Sequence, residues 1–281
     1  MITYSKLGKY GAMGNQLFQY AALYGISRKT GYKIRIPKPD SNSTGSLRVI
    51  GIQKDYHPVE EYEYALGCFN VSAKQLSFWN RFRYTYNEPH FHFDPKIFNI
   101  KDGSDILGYF QSEKYFIHCA DDIRNEFKIK DRFYFLAKER IKSFREHGKV
   151  LVSIHVRRAG HNDNYEHIPL PMSYYHAALK SFQDEYDNPN FLLFSDDLEW
   201  CRDNIILDNL SYAEGNPAIV DFSMMSMCDH HIIANSSFSW WAAWLGENPN
   251  KKVIAPRLWF GTKGDVPQHV QDLIPETWIK I

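Results

Sequence analysis

The strongest constraint on the fold is a short apolar segment, Val150 to Ile154, that leads into His155, Arg157 and Arg158. A β-branched run of this length predicts a buried strand, and ligands bind at the carboxyl ends of strands in open α/β sheets. Adjacent arginines are poor core residues because each needs a partner once it leaves water, whereas their planar donors suit phosphate oxygens. The pattern therefore predicts an α/β protein with an anion site here. Ion pairs with local carboxylates are the alternative explanation for the arginines.

A glycine turn near the N-terminus forms a second candidate site. Gly11 and Gly14 follow a strand-like segment that starts at Ile2, and apolar residues continue with helical spacing after Asn15 and Gln16. Such a turn brings backbone N–H groups close to a ligand at the start of a helix. It lacks both the Gly-Lys-Ser/Thr ending of a Walker A loop and the glycine spacing of dinucleotide-binding turns. An ordinary strand-to-helix turn is the alternative.

The stretch 221–245 predicts a helix, a short buried strand and a second helix rich in tryptophan. Ser236 and Ser237 lie where the second helix begins, between Asn235 and Phe238, and their hydroxyls can cap its first N–H groups. Hydroxyls, N–H groups and the helix dipole together favour an anion. A capped core helix is the simpler alternative, and both interpretations can hold.

Another buried apolar strand is predicted over residues 191–197, and a helix is predicted over residues 198–204. Asp196 and Asp197, at the end of this strand, raise the question of a metal, because carboxylates hold divalent cations beside the diphosphate in many nucleotide-sugar enzymes. Since Arg157 and the serine hydroxyls can neutralise a bound anion, we expect no metal and no other cofactor. The two aspartates are then expected to accept hydrogen bonds or to cap the helix.

Taken in order, these segments resemble the bacterial-type α1,2-fucosyltransferases of glycosyltransferase family 11. The N-terminal family motif, Gly-x-x-Gly-Asn-Gln-Leu-Phe-Gln-Tyr-Ala, matches residues 11–21, and the middle motif, His-x-Arg-Arg, matches residues 155–158. The C-terminal motif, Ile-Ile-Ala-Asn-Ser-Ser/Thr-Phe-Ser-Trp-Trp, matches residues 232–241. The resemblance implies a GT-B-like α/β fold with two Rossmann-like lobes and a nucleotide-sugar cleft between them. Residues 1–148 would form the acceptor-side lobe and residues 149–281 the lobe that binds GDP-fucose.

The activity implied by the resemblance is an inverting transfer of L-fucose from GDP-β-L-fucose to the 2-hydroxyl of a terminal galactoside. A preorganised Arg157 would stabilise the charge on the departing phosphate. Asp221 resembles the carboxylate that accepts hydrogen bonds from guanine, with helix capping as its alternative role, and His155 resembles the residue that completes the base and ribose side. Residues 106–112 are predicted as a strand, and the resemblance places their Gly-Tyr-Phe-Gln-Ser sequence towards the acceptor. The predicted donor-binding residues are Gly11, Gly14, Asn15, Gln16, His155, Arg157, Arg158, Ser195, Asp196, Asp221, Asn235, Ser236, Ser237 and Phe238.

One departure from the family pattern lies beside the chemistry. After the two arginines the family motif continues Gly-Asp-Tyr, whereas this chain has Ala159-Gly160-His161. His161, Asp163, Glu166 and His167 in the same loop are the candidates for the base that accepts the proton of the acceptor hydroxyl. Each has an alternative role as a solvated loop residue. The change also leaves two rival functions open: transfer of another nucleotide-activated sugar, and glycan binding without catalysis.

Composition limits the class of protein further. The 281 residues include 33 basic and 33 acidic side chains with no basic stripe, so nucleic acid is not an expected partner. The four cysteines have neither metal nor redox spacing and predict reduced thiols. Without an apolar span or a signal-peptide pattern, a cytoplasmic location is expected. The expected partners are GDP-fucose and a galactose-terminated oligosaccharide, and a lipid-linked acceptor would add peripheral membrane association.

Overall fold

A computed structural model describes residues 1–38, 64–77, 82–158, 168–261 and 270–281. Packing divides these residues into two compact units. The first contains residues up to 130 together with 270–275, and the second contains 131–261 together with 276–281. Each unit is built on its own parallel sheet with helices, which is a Rossmann-like α/β arrangement. The loop residues His161, Asp163 and Glu166 lie outside the described residues.

Five short strands form the sheet of the first unit: β1 (Ile2–Thr3), β2 (Ile34–Ile36), β3 (Lys74–Gln75), β4 (Tyr84–Asn87) and β5 (Ser104–Leu107). Their spatial order is β3-β2-β1-β5-β4, and every neighbouring pair is parallel. Helices α1 (Met13–Thr30) and α2 (Ala120–Glu126) belong to the same unit. Because the strands are parallel, the segments that follow β1, β5 and β4 meet at one side, which we call the first carboxyl edge.

The glycine turn and helix predicted near the N-terminus are confirmed. Gly11 has a left-handed φ of 80°, which suits glycine, and α1 begins two residues later at Met13. The helix ends where Gly31, with a φ of 74°, donates its N–H to the carbonyl of Ser27. Most of the helix is buried, so it fixes the glycine turn against the core of the first unit.

The strand predicted over residues 106–112 is shorter than expected, since β5 ends at Leu107. The backbone leaves the extended conformation there, because Gly108 has a φ of 155° and Phe110 has a left-handed φ of 52°. A Cβ atom at Gly108 would lie only 2.4 Å from the Cβ of Glu88. The close approach of Glu88 therefore accompanies the turn of the chain out of the sheet.

Six strands form the sheet of the second unit: β6 (Leu151–Val156), β7 (Asn190–Ser195), β8 (Leu210–Tyr212), β9 (His230–Ile232), β10 (Val253–Ala255) and β11 (Ile279–Lys280). Their order is β11-β10-β9-β6-β7-β8, again with parallel neighbours. Its helices are α3 (Asp131–Ile141), α4 (Met172–Gln183), α5 (Leu198–Asn204), α6 (Ala218–Ser226) and α7 (Ser237–Leu245). The segments after β6, β7 and β9 meet at the second carboxyl edge.

Strand β6 is the central element of the second unit, as its sequence predicts. All six of its residues are buried, and it pairs along its whole length with β7. The apolar side chains Val152 and Ile154 join a core that includes Tyr175, Leu179 and Phe182 of α4. In the part of the chain described here, no helix combines the length and the apolar character needed to cross a bilayer.

Candidate functional site

The register of β6 and β7 determines where the two arginines lie. Val156 is paired with Ser195, so the residues that follow, Arg157 and Asp196, leave the sheet side by side. Arg157 Nη1 lies 3.1 Å from Asp196 Oδ2, and the Arg157 side chain remains 39% exposed. Because a guanidinium has five N–H donors, this ion pair orients Arg157 and leaves donors available for a ligand.

Arg158 is held more completely than Arg157. Its backbone N–H donates to Asp196 Oδ1 at 2.7 Å, and its Nε lies 3.4 Å from Asp197 Oδ2. The guanidinium also stacks on Trp200, with its carbon 3.8 Å from the ring centroid. The alternative explanation from the sequence, ion pairs with local carboxylates, is therefore confirmed for both arginines. Such pairs are compatible with anion binding, because a phosphate can replace a carboxylate at a guanidinium.

The roles predicted for the two aspartates after β7 are confirmed. Asp196 accepts the hydrogen bond from Arg158 described above, and Asp197 caps α5 by accepting the N–H of Trp200 at 3.1 Å. The hydroxyl of Ser195 accepts the N–H of Asp197 at 3.0 Å and tightens the same turn. Among the described residues no group of three metal-ligating side chains comes together.

His155 connects the central strand to helix α7. Its Nδ1 lies 2.8 Å from Ser239 Oγ, and its ring centroid lies 5.7 Å from that of Phe238. Burial, reinforced by the neighbouring Arg157, lowers the pKa of His155 to about 3. The ring is therefore neutral at physiological pH, and it acts as a fixed hydrogen-bonding group that positions the start of α7.

The predicted cap of α7 is confirmed. Ser236 is the N-cap residue, and its Oγ accepts the N–H of Phe238 at 3.4 Å. Asn235 fixes the preceding turn, since its side-chain amide donates to the carbonyls of Ile168 at 3.0 Å and Trp259 at 3.1 Å. The helix that follows is packed by buried tryptophans. The capped helix predicted as the simpler alternative is thus present, and its N-terminus faces the same edge as His155.

Asp221 lies inside α6 and does not cap it. Pro217 occupies the N-cap position, so the capping role considered for Asp221 is wrong. The carboxylate is 1% exposed and accepts a hydrogen bond from Asn216 Nδ2 at 2.7 Å. Burial raises its pKa well above the usual range, while Asn216 and the charge of Arg140 oppose that shift. Arg140, on α3, also hydrogen-bonds the Asn216 side chain and the carbonyl of Gly215.

The glycine turn of the first unit is organised by amide side chains. Gln16 Nε2 donates to the carbonyl of Gly11 at 3.2 Å, and its Oε1 accepts the N–H of Ala65 at 2.9 Å. Asn15 Oδ1 accepts a hydrogen bond from Gln111 Nε2 at 2.7 Å. The predicted donor-binding residues Asn15 and Gln16 therefore hold the turn in place, and Asn15 connects it to the segment after β5.

Four side chains at these sites were not predicted from the sequence. Trp200 and Ser239 each lie three positions after the residue that caps their helix, a spacing that could have singled them out. Arg140 and Asn216 carry no such local signal, because they meet only through the packing of α3 against α6. Within the second unit, the structure brings Arg157, His155 and the start of α7 to one edge. A guanidinium and a helix N-terminus are groups of the kind that bind anions.

Comparison with known proteins identifies the family. The model for glycosyl transferase family 11 matches residues 6–278. An alpha-1,2-colitosyltransferase of Escherichia coli is 30% identical over 96% of this chain and 96% of its own length. The rat galactoside alpha-(1,2)-fucosyltransferase 2 is 26% identical over 92% of this chain and 77% of its own.

Solved structures support the GT-B-like fold. The fucosyltransferase NodZ from Bradyrhizobium is 12% identical, with a TM-score of 0.51 over 86% of this chain and 91% of that chain. A structure of NodZ alpha-1,6-fucosyltransferase soaked with GDP-fucose has a TM-score of 0.52 at 13% identity, over 87% of this chain and 91% of that one. The family match, the α/β fold and the arginine-bearing edge agree, and the chain belongs to glycosyl transferase family 11.

Proposed function

We propose that the protein transfers L-fucose from GDP-β-L-fucose to the 2-hydroxyl of a terminal galactoside, with inversion at the anomeric carbon. The observation that carries this proposal is Arg157, which is oriented by Asp196 at the second carboxyl edge and is still 39% exposed. The rat relative supports the linkage, since its name gives an alpha-(1,2)-fucosyltransferase acting on galactosides.

The proposed chemistry is a single displacement. As the bond between the sugar and the β-phosphate breaks, negative charge develops on the leaving phosphate oxygen, and the guanidinium of Arg157 with the capped start of α7 stabilises it. The fixed, neutral His155 maintains the position of that helix through Ser239. Such a preorganised site needs no rearrangement of dipoles when the charge appears.

A second donor is favoured by one specific finding. The colitosyltransferase of Escherichia coli is 30% identical to this chain and is aligned over nearly all of it. Colitose is L-fucose without the 3-hydroxyl, so the same diphosphate site would serve both donors. The choice between them depends on whether the protein has a hydrogen-bonding partner for the 3-hydroxyl.

The experiment is a donor competition. The purified protein is incubated with lactose and with equal concentrations of GDP-fucose and GDP-colitose, and products are quantified by mass spectrometry and their linkage by NMR. We expect an α1,2-linked fucosyl product. If only colitose is transferred, the donor is GDP-colitose and not GDP-fucose. If donor and lactose bind but no product forms, the protein binds glycans without catalysis. Arg157→Ala, assayed in parallel, is the control for contaminating transferases.

A further inference from the structure

The first carboxyl edge contains a carboxylate that the sequence did not single out. Glu88 directly follows β4, and the segment Gly108–Ser112 directly follows the neighbouring β5. Because these strands are parallel, Glu88 and this segment lie at the end of the sheet where α/β proteins bind ligands. Glu88 is partly exposed, so a ligand at this edge can reach it.

Neutral donors hold the Glu88 carboxylate. Its Oε2 accepts the backbone N–H of Tyr109 at 2.7 Å, and the N–H of Phe110 lies 3.0 Å from Oε1 and 3.1 Å from Oε2. The hydroxyl of Tyr115 also donates to it. No cationic side chain of the described residues forms an ion pair with Glu88. The carboxylate is thus fixed in direction without the compensating charge that an arginine or lysine would supply.

The environment of Glu88 gives its carboxyl group a pKa that suits a general base working near neutral pH. Desolvation raises its pKa to about 7, although the hydrogen bonds from Tyr109, Phe110 and Tyr115 oppose this shift. The ionisable side chains that face Glu88 are the phenols of Tyr4, Tyr86 and Tyr115. Burial raises the pKa of all three, so they remain neutral between pH 6 and 8, where only Glu88 among these groups changes charge.

The backbone around Glu88 is kept in an uncommon conformation. Phe110 has a left-handed φ of 52° although it is not glycine, and its side chain is completely buried. The two N–H groups that point at Glu88 come from this turn. Strain of this kind persists only when the surroundings enforce it, and it is concentrated at functional sites.

The segment after β5 also contains a side chain, Gln111, with an unused hydrogen-bond acceptor. Gln111 is 7% exposed and donates through Nε2 to Asn15, but its Oε1 has no hydrogen-bond partner. An unpaired buried carbonyl oxygen is costly. The exposed ring of Tyr109, 41% accessible, adds an aromatic surface at this segment of the kind that packs against sugars.

We propose that the first carboxyl edge binds the galactoside and that Glu88 is the catalytic base that accepts the proton of its 2-hydroxyl. In this step the hydroxyl oxygen forms the new bond to the anomeric carbon of the donor sugar. The bond from that carbon to the phosphate oxygen breaks, and its electron pair leaves with GDP. The hydroxyl proton moves to a carboxylate oxygen of Glu88 and is then lost to solvent. This assignment rests on the proposed glycosyl transfer, and it competes with His161, Asp163 and Glu166 for the role.

The first test is the pH profile of turnover, with Glu88→Gln, Glu88→Asp and the control Glu126→Gln. Glu126 is a buried carboxylate of the same unit that accepts the hydroxyl of Tyr20 at 2.6 Å and the N–H of Ser72 at 2.6 Å. It therefore controls for loss of a structural carboxylate. For the wild type, kcat/KM should rise with pH through about 7 as Glu88 loses its proton.

We expect Glu88→Gln to lower kcat by about 100-fold or more and to abolish this pH dependence, with GDP affinity unchanged in calorimetry. Glu88→Asp should retain part of the activity and the rise of kcat/KM with pH. Glu126→Gln should retain the full pH profile of the wild type. The assignment is overturned if Glu88→Gln keeps the wild-type turnover and the rise of kcat/KM with pH. It is equally overturned if the rise of kcat/KM with pH is lost instead in Asp163→Asn, Glu166→Gln or His161→Ala.

The second test needs no turnover and separates this inference from the proposed function. Lactose binding to the GDP-loaded protein is measured by calorimetry between pH 6 and 8. We expect it to tighten as pH rises in the wild type, because an ionised carboxylate is the better acceptor for the sugar hydroxyl, and to be independent of pH in Glu88→Gln. If this holds while no donor is turned over, glycosyl transfer is wrong and the galactoside site remains. If the two proteins bind lactose alike, or neither binds it, the site assignment is wrong.

Discussion

The two carboxyl edges place charged side chains at equivalent positions, after neighbouring parallel strands, but balance them differently. At the second edge Arg157 meets Asp196 at 3.1 Å and Arg158 meets Asp197 at 3.4 Å. At the first edge the Glu88 carboxylate accepts, from the described residues, the hydrogen bonds of two backbone N–H groups and a phenol. Positive charge is therefore paired with negative charge at the second edge, whereas the negative charge of the first edge has no cation beside it among the described residues.

This difference matters for the chemistry that each edge can support. An arginine already oriented by a carboxylate can accept a phosphate with little reorganisation, so the second edge suits a leaving group that gains negative charge. A carboxylate without a cation keeps a raised pKa, so the first edge suits a neutral hydroxyl that gives up a proton. Four substitutions or treatments test the description of the second edge, in order of decreasing effect.

The largest effect is expected for Arg157→Ala. Loss of a preorganised donor to the leaving phosphate should cost about 3 kcal/mol of transition-state stabilisation, or roughly 150-fold in kcat/KM. Arg157→Lys should recover little, because a point charge cannot replace two parallel donors. Arg202→Ala is the matched control, since Arg202 stacks on Tyr212 and pairs with Glu214 in the same unit. Near-parental kcat/KM in the lysine variant would contradict the phosphate role.

Asp221→Asn is expected to have the next largest effect, on nucleotide selectivity. If the buried carboxylate accepts hydrogen bonds from guanine, its loss should weaken GDP binding by about 1.5 to 3 kcal/mol, the usual worth of a hydrogen bond to a charged group. ADP binding, measured by the same calorimetry, is the internal control and should not change. An unaltered ratio of GDP to ADP affinity would show that Asp221 does not bind guanine and serves only to hold Asn216.

Ser239→Ala should have a smaller effect. It removes the contact between His155 and α7, together with the hydrogen bond that the Ser239 hydroxyl donates to the carbonyl of Ser236 at 3.3 Å. We expect about 1 kcal/mol less free energy of unfolding, together with a modest loss of GDP affinity as the helix start becomes less firmly positioned. Ser226→Ala is the control, since its hydroxyl donates to the carbonyl of Ser223 in its own helix at 2.8 Å. Chemical denaturation and calorimetry measure the two quantities. Equal behaviour of the two variants would show that the link to His155 does not support the site.

No effect is expected from metal removal. The arginines and the capped helix can neutralise a diphosphate, so turnover should survive excess EDTA followed by dialysis and should not rise with Mn²⁺ or Mg²⁺. The readout is product formation before and after treatment. If activity is lost completely and a divalent cation restores it, Asp196 and Asp197 are the candidate metal ligands. The second edge would then bind its anion with the help of a metal ion.

Local patterns in the sequence predict much of this fold. The helix over residues 198–204 follows from its capping aspartate, and α1 follows from Gly11 and apolar spacing. The strand expected to reach Ser112 ends five residues earlier, because a glycine with a φ of 155° and the left-handed Phe110 turn the chain away. That turn depends on Glu88, which is about twenty residues distant in the sequence, so no local pattern shows it.

The sequence by itself determined the family, the parallel α/β class and the arginine-bearing edge, because β-branched runs, glycine turns and helix caps act over a few residues. Only the tertiary structure decided which groups balance those charges. It paired Arg157 with Asp196 through the register of β6 and β7, and joined Arg140 to Asn216 through helix packing. It also placed Glu88 against the turn after β5, with no cation from the described residues paired to it. A pKa depends on neighbours in space and on burial, which the order of residues along a chain does not specify.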